Sequence, residues 1–149
     1  KKQYVFIIHG HNEAIKNQVA RFIENLGPHV VIIHDQPNAG RTIIEKLEAF
    51  SNPSYAVAIM TPDDFGGSMA TNADDARPRA RQNVILEIGY FLGKLGRNKL
   101  TVLYQEGVEM PSDIGGILYI KYDNSGAWKF SLARELKSSG IKVDLNMIL

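Results

Sequence analysis

No cysteine occurs among the 149 residues, which excludes disulfides, thiolate nucleophiles and cysteine-built zinc sites. A small secreted scaffold is a poor fit to that absence, and a reducing compartment, the cytoplasm, is expected. Neither charge is in excess: 17 Lys and Arg against 16 Asp and Glu leave a net +1. No basic stripe interleaved with aromatics is present, so a nucleic-acid partner is not expected. No apolar run reaches the ~18 residues that would span a bilayer, and the opening "KKQYVFIIHG" lacks the cleavage pattern of a signal peptide. No membrane partner is expected either. The chain begins without Met, and we read residues 1–149 as a single domain of a longer multidomain protein. What is there, 44% hydrophobic and 22% charged residues, is the usage of an ordinary domain with one well-buried core.

Short β-branched runs alternate with amphipathic segments. "QYVFIIHG", "HVVIIHD", "YAVAIMTP", "KLTVLYQ" and "ILYIKYD" are nearly continuous apolar runs bounded by Gly, Pro and polar residues, which is how strands covered on both faces read. Helices are predicted over residues 12–26, where Ile15, Val19, Phe22, Ile23 and Leu26 recur at helical spacing, and over 41–50, 83–95 and 127–138. Strand and helix in alternation predict an α/β sandwich with a five-stranded parallel sheet. Ligands of such sheets bind beyond the carboxyl ends of the strands. The loops "HGHNE", "HDQPNAGRT" and "TPDDFGGS" lie there. The polar, Gly-, Asp- and Arg-rich "GGSMATNADDARPRARQ" is expected to be a mobile connection, with Asp74 and Asp75 placed to initiate the following helix.

That helix, "NVILEIGYFLGKLG", carries one charge among apolar neighbours. At about 100° per residue, Ile85, Gly89 and Leu92 lie opposite Glu87, which predicts that the apolar arc faces the core and that Glu87 stands on a minority seam with Asn83, Tyr90, Phe91 and Lys94. Such a seam suits a cleft wall, although helical geometry alone favours the solvated strip of a buried helix. Substitution of Glu87 would then cost little stability.

"RQNVILEIGYFLGKLG", with "VFIIHGHNEAIKNQVARFIENLG", "QPNAGRTIIEKLE", "AIMTPDD" and "MPSDIGGILYIKYD", resembles the bacterial TIR-like (Toll/interleukin receptor homology) domains of anti-phage signalling proteins, including those fused to STING. The most specific part is the Asn-x-x-x-Glu-x-Gly-x-x-x-Gly helix, here Asn83, Glu87, Gly89 and Gly93; "HGHNE" departs from the Ser-rich loop of some relatives. The resemblance implies a flavodoxin-like fold, cleavage of NAD+ to nicotinamide and ADP-ribose or its cyclic form, and Glu87 as the catalytic residue. It also implies homo-oligomers or filaments through TIR–TIR contacts, and a regulatory domain elsewhere in the full chain. A non-catalytic interaction module, a nucleotide sensor and a deoxyribosyltransferase-like enzyme are the alternatives.

One carboxylate is chemically sufficient for that reaction. Glycosidases need two because the leaving group must be protonated. Nicotinamide leaves as a neutral molecule from a ring already positively charged, so the remaining task is to stabilise a ribosyl oxocarbenium. No cofactor or metal is expected, NAD+ being the substrate. Candidate substrate-binding residues are His9, Gly10 and His11, ahead of a helix whose amides can face a diphosphate; Arg41, for a phosphate; Asp63, which with Asp64 reads first as a turn or cap residue; Asn83; and Tyr90, which with Phe91 can pack on a base or belong to the core. Arg81 approaches Glu87 only if the helix starts late.

Overall fold

The structure, a computed structural model, describes residues 2–35, 39–49, 53–70, 72–112 and 116–148. The central strands are β1 (Tyr4–Ile8), β2 (His29–Ile32), β3 (Tyr55–Met60), β6 (Leu100–Tyr104) and β7 (Leu118–Lys121); β4 (Asp64–Gly66) and β5 (Arg77–Arg79) form a separate two-stranded ribbon. The helices are α1 (Glu13–Leu26), α2 (Ile43–Ala49), α3 (Gln82–Leu95) and α4 (Ala127–Ser138). The five-stranded sheet has the order β2-β1-β3-β6-β7 with every pairing parallel, the flavodoxin-like arrangement. Strand order reverses beside β1, so the crevice for a ligand opens between the ends of β1 and β3.

Alternation along each strand divides the core into two layers. Val5, Ile7, Val57, Ile59 and Leu103 point to the side covered by α1 and α4, where Ile23, Leu26, Trp128 and Leu132 pack. Phe6, Ile8, Ala56, Ala58, Met60 and Val102 point to the other side, against Leu47 of α2 and Val84, Ile88 and Phe91 of α3. Phe6 and Phe91 meet edge to face with centroids 5.4 Å apart. Phe91, fully buried, is therefore a core residue and not a platform for a base.

Three sequence expectations are corrected. The face of α3 is the opposite of the predicted one: Val84, Glu87, Ile88 and Phe91 are buried, Gly89 and Gly93 face solvent, and Leu86 is 61% exposed. Nearly every position of this helix is apolar, so the sequence period has little contrast from which to read a phase, and packing against the small Ala56 and Ala58 decides it. Asp74 and Asp75 do not initiate α3; they lie in a short 3-10 turn (Ala73–Asp75), and the helix begins at Gln82 with Arg81 at its cap position. The polar connection is structured in part, since Asp64–Gly66 pair antiparallel with Arg77–Arg79, and Arg79 forms an ion pair with Glu109. Residues 36–38 of "HDQPNAGRT", Phe50 at the end of the second predicted helix, and residues 113–115 of "MPSDIGGILYIKYD" lie outside the described residues.

Candidate active site

Neighbouring strands deliver two histidines side by side. The β1–β2 register pairs Ile7 with Ile32, two residues before His9 and His34, so both imidazoles emerge at the carboxyl edge of the sheet. Their rings meet edge to face at 5.5 Å. His34 belongs to a 3-10 turn (Ile33–Asp35), and that turn is tied to α1: Lys16 pairs with Glu13 at 2.5 Å and reaches Asp35 at 3.7 Å.

Beneath His34 lies the carboxylate. Glu87 is 2% exposed and its Oε1 is 3.2 Å from His34 Nε2; with the carboxylate ionised, the ring N–H donates. The His34 side chain is 35% exposed and so forms the solvent-facing cover of a buried acid. Burial pushes the Glu87 pKa above the ordinary glutamate range, while the hydrogen bond and charge of His34 and the charge of Arg81 pull the other way. Because α3 does start late, Arg81 stands close enough to act on Glu87. The expected seam position is thus overturned, and with it the ground for expecting that substitution of Glu87 costs little stability.

The loop after β1 is held by Asp63. Its Oδ1 accepts from Thr61 Oγ1 at 2.7 Å and its Oδ2 from the His11 backbone N–H at 3.0 Å. Asn12 caps α1 through its side-chain oxygen on the Ile15 amide. The space beside Gly10, expected to admit a diphosphate, is therefore taken by a carboxylate: a Cβ on Gly10 would lie 1.9 Å from Asp63 Oδ2. We expect Gly10→Ala to force Asp63 off the His11 amide and to lower stability by ~1 kcal/mol, the net scale of one hydrogen bond. Denaturant midpoints measure this; an unchanged midpoint would mean that Asp63 has no fixed place in the loop.

The structure gathers His9, Gly10, His11 and Asp63 at the ends of β1 and β3 and links them to Glu87 through His34. It does not bring the other candidates into that cluster. Arg41 is exposed ahead of α2, whose first turn is closed by a reciprocal pair between Thr42 and Glu45, and its charge acts on Glu45. Asn83 is exposed and lines a groove of about 500 Å³ with Asp64, Phe65, Arg79 and Arg81. Tyr90 is half-buried, its hydroxyl 3.5 Å from Lys94 Nζ. His34 is the residue that sequence reasoning missed. The signal was present: two apolar strands both end in "Ile-Ile-His", and adjacent parallel strands set such endings side by side. Among the described residues no group of three or more metal-ligating side chains occurs, and no helix is long and apolar enough to cross a membrane.

Residues 4–124 match the family model described as CAP12/Pycsar effector protein, TIR domain. The protein YuaY of Escherichia coli K12 is 46% identical over 97% of this chain and 48% of its own length. Protein tirC of Dictyostelium discoideum is 37% identical over 79% of the chain and 63% of its own. The Pycsar effector protein XpPycTIR of Xanthomonas perforans is 36% identical over 56% of the chain and 27% of its own. The chain thus spans between about a quarter and two thirds of the length of these relatives.

Proposed function

The chain belongs to the family of TIR domains of CAP12 and Pycsar effector proteins, and on that premise we propose that it is an NAD+ glycohydrolase. The observation that carries the proposal is Glu87: a carboxylate buried at the carboxyl edge of the sheet and covered by a partly exposed imidazole. Substrate binding moves His34 aside and seats the nicotinamide-side ribose on Glu87. The bond between C1′ and the pyridinium nitrogen breaks with its electron pair going to the ring, which leaves as neutral nicotinamide. Positive charge then spreads over C1′ and the ring oxygen beside the carboxylate. An anion in a poorly solvated setting interacts weakly with the neutral sugar and strongly with the cation, so its effect is concentrated in the transition state. Water adds at C1′, loses a proton, and gives ADP-ribose.

Incubating the protein with NAD+ and separating the nucleotides by chromatography tests this. Release of nicotinamide with one equivalent of ADP-ribose or its cyclic form is the expected result; intact NAD+ at high protein concentration would overturn it.

Within this reading the domain is a cytoplasmic effector of anti-phage defence, switched on by self-assembly when a sensing region of the longer protein detects its signal. A closed Glu87 requires some input to open it, and packing of a second copy over the loop after β2 supplies one. Turnover per subunit is accordingly expected to rise more steeply than linearly with concentration, alongside larger species in sedimentation. Constant specific activity across a wide dilution series, with the protein monomeric throughout, would rule out activation by assembly.

A further inference from the structure

The chemistry of the His9–His34–Glu87 cluster is one-sided. His9 Nδ1 lies 2.8 Å from the Gly10 carbonyl oxygen, so the ring proton sits on Nδ1 and Nε2 carries a lone pair. Burial holds the imidazole pKa below its ordinary value, against the opposing pull of the Gly10 carbonyl, which keeps the ring neutral. That leaves Nε2 an acceptor, and it is buried without a hydrogen-bond partner among the described residues. Buried acceptors are seldom left unsatisfied unless a ligand or water supplies the donor.

Its surroundings decide which ligand. Glu87 contributes a second acceptor, and the Asp63 carboxylate fills the space at Gly10. Lys16, a cation close to His9, is engaged by Glu13 and Asp35. Lys16 is thus already engaged by carboxylates and the charge of Arg81 acts on Glu87, so two acceptors in this setting suit a neutral group rich in hydroxyl donors better than a phosphate. His34 touches both residues, ring to ring with His9 and by hydrogen bond to Glu87, and so connects the two acceptors.

We propose that His9 Nε2 accepts a hydrogen bond from one hydroxyl of the ribose whose other hydroxyl is held by Glu87, so that the two residues together select ribonucleotide over deoxyribonucleotide substrates. This rests on the hydrolase reading and names the group of the substrate that His9 recognises.

His9→Asn is the informative variant, because its amide nitrogen reproduces the Nδ1 donor to Gly10 and removes only the Nε2 acceptor. Its kcat/KM is compared with wild type for NAD+ and for the two forms of NAD+ lacking either the 2′ or the 3′ hydroxyl of the nicotinamide ribose. Intrinsic reactivity cancels, since each substrate is compared only with itself. We expect His9→Asn to lower kcat/KM for NAD+ by about ten-fold, the scale of one hydrogen bond, and to leave unchanged the deoxy substrate that lacks the recognised hydroxyl. An equal fall for all three substrates, or no fall, would overturn the assignment. A second arm does not depend on turnover: in 15N-labelled protein the His9 Nε2 resonance is followed during titration with NAD+. An upfield shift without nicotinamide release would preserve the His9 site and discard the hydrolase reading. Release with an unmoved Nε2 resonance would do the reverse.

Discussion

Glu87→Gln is expected to lower nicotinamide release by at least ~10³-fold, the scale on which a preorganised electrostatic group acts, while making the folded protein more stable at pH 8. The two effects share one cause. Glu87 is buried, and burial raises its pKa, with only partial relief from His34 and Arg81. A group whose folded pKa is raised contributes stability that is fully present below its unfolded pKa and is lost as pH rises through its folded pKa. At pH 8 the wild-type chain has therefore lost stability, because burial opposes the charge that the unfolded carboxylate carries freely. Gln is neutral, of the same shape, and keeps the Oε1 acceptor for His34, so it removes the cost and retains the contact. For a chain of this size each kcal/mol gained raises the melting temperature by ~2–4 °C. The advantage of the variant should shrink at pH 4.5, where the wild-type carboxyl also takes up its proton. Melting curves at the two pH values and a nicotinamide assay check both halves. A variant that retains most of its turnover would remove Glu87 from the mechanism, and an equal stability difference at both pH values would mean that its charge is not the source of the cost.

NADH is expected to be cleaved at least ~10³-fold more slowly than NAD+, a difference of about 4 kcal/mol or more in barrier. The dihydronicotinamide ring is neutral and would have to depart as an anion, which calls for a general acid. Of the two carboxyls in the described cluster, Asp63 is engaged by Thr61 and the His11 amide, and Glu87, the one proposed to face the ribose, is required there as an anion. Protonating it to assist the leaving group abolishes its attraction for the oxocarbenium. Competition experiments keep binding and chemistry apart: NADH should inhibit NAD+ cleavage while remaining intact. Comparable cleavage of both nucleotides would contradict a dissociative reaction driven by the pyridinium charge.

Strand positions were legible because each buried strand is a short β-branched run, and the fourth helix was legible to its bounds, residues 127–138. The loops that meet at the carboxyl edge followed from the parallel topology alone, and His9, Gly10, His11 and Asp63 fall where that topology puts them. The orientation of Glu87 did not follow. A helix with apolar residues on every side has no polar face to mark its exterior, and the single acid was assigned outward when a partner histidine lets it turn inward. That partner is 53 positions away in sequence and becomes its neighbour only through the sheet. Gly10 was legible as a point of close approach, but whether the approaching group is a ligand or Asp63 depends on a contact that no local pattern encodes.

The outward glycines of α3 bear on how such a closed site opens. Gly89 and Gly93 follow Glu87 on the solvent side, and a side chain at either would meet no other part of the protein within 4 Å. Each weakens the helix by ~1 kcal/mol relative to Ala, and neither contributes packing in return. The hydrogen-bond ladder is thereby weakest in the turns directly after the carboxylate, while Val84, Ile88 and Phe91 fasten the inner face to β1, β3 and β6. In amide hydrogen exchange, this stretch is expected to open by local fluctuation before the sheet does. The strands fix where the histidines stand, and the acid they enclose is carried on a helix whose outer side two glycines loosen.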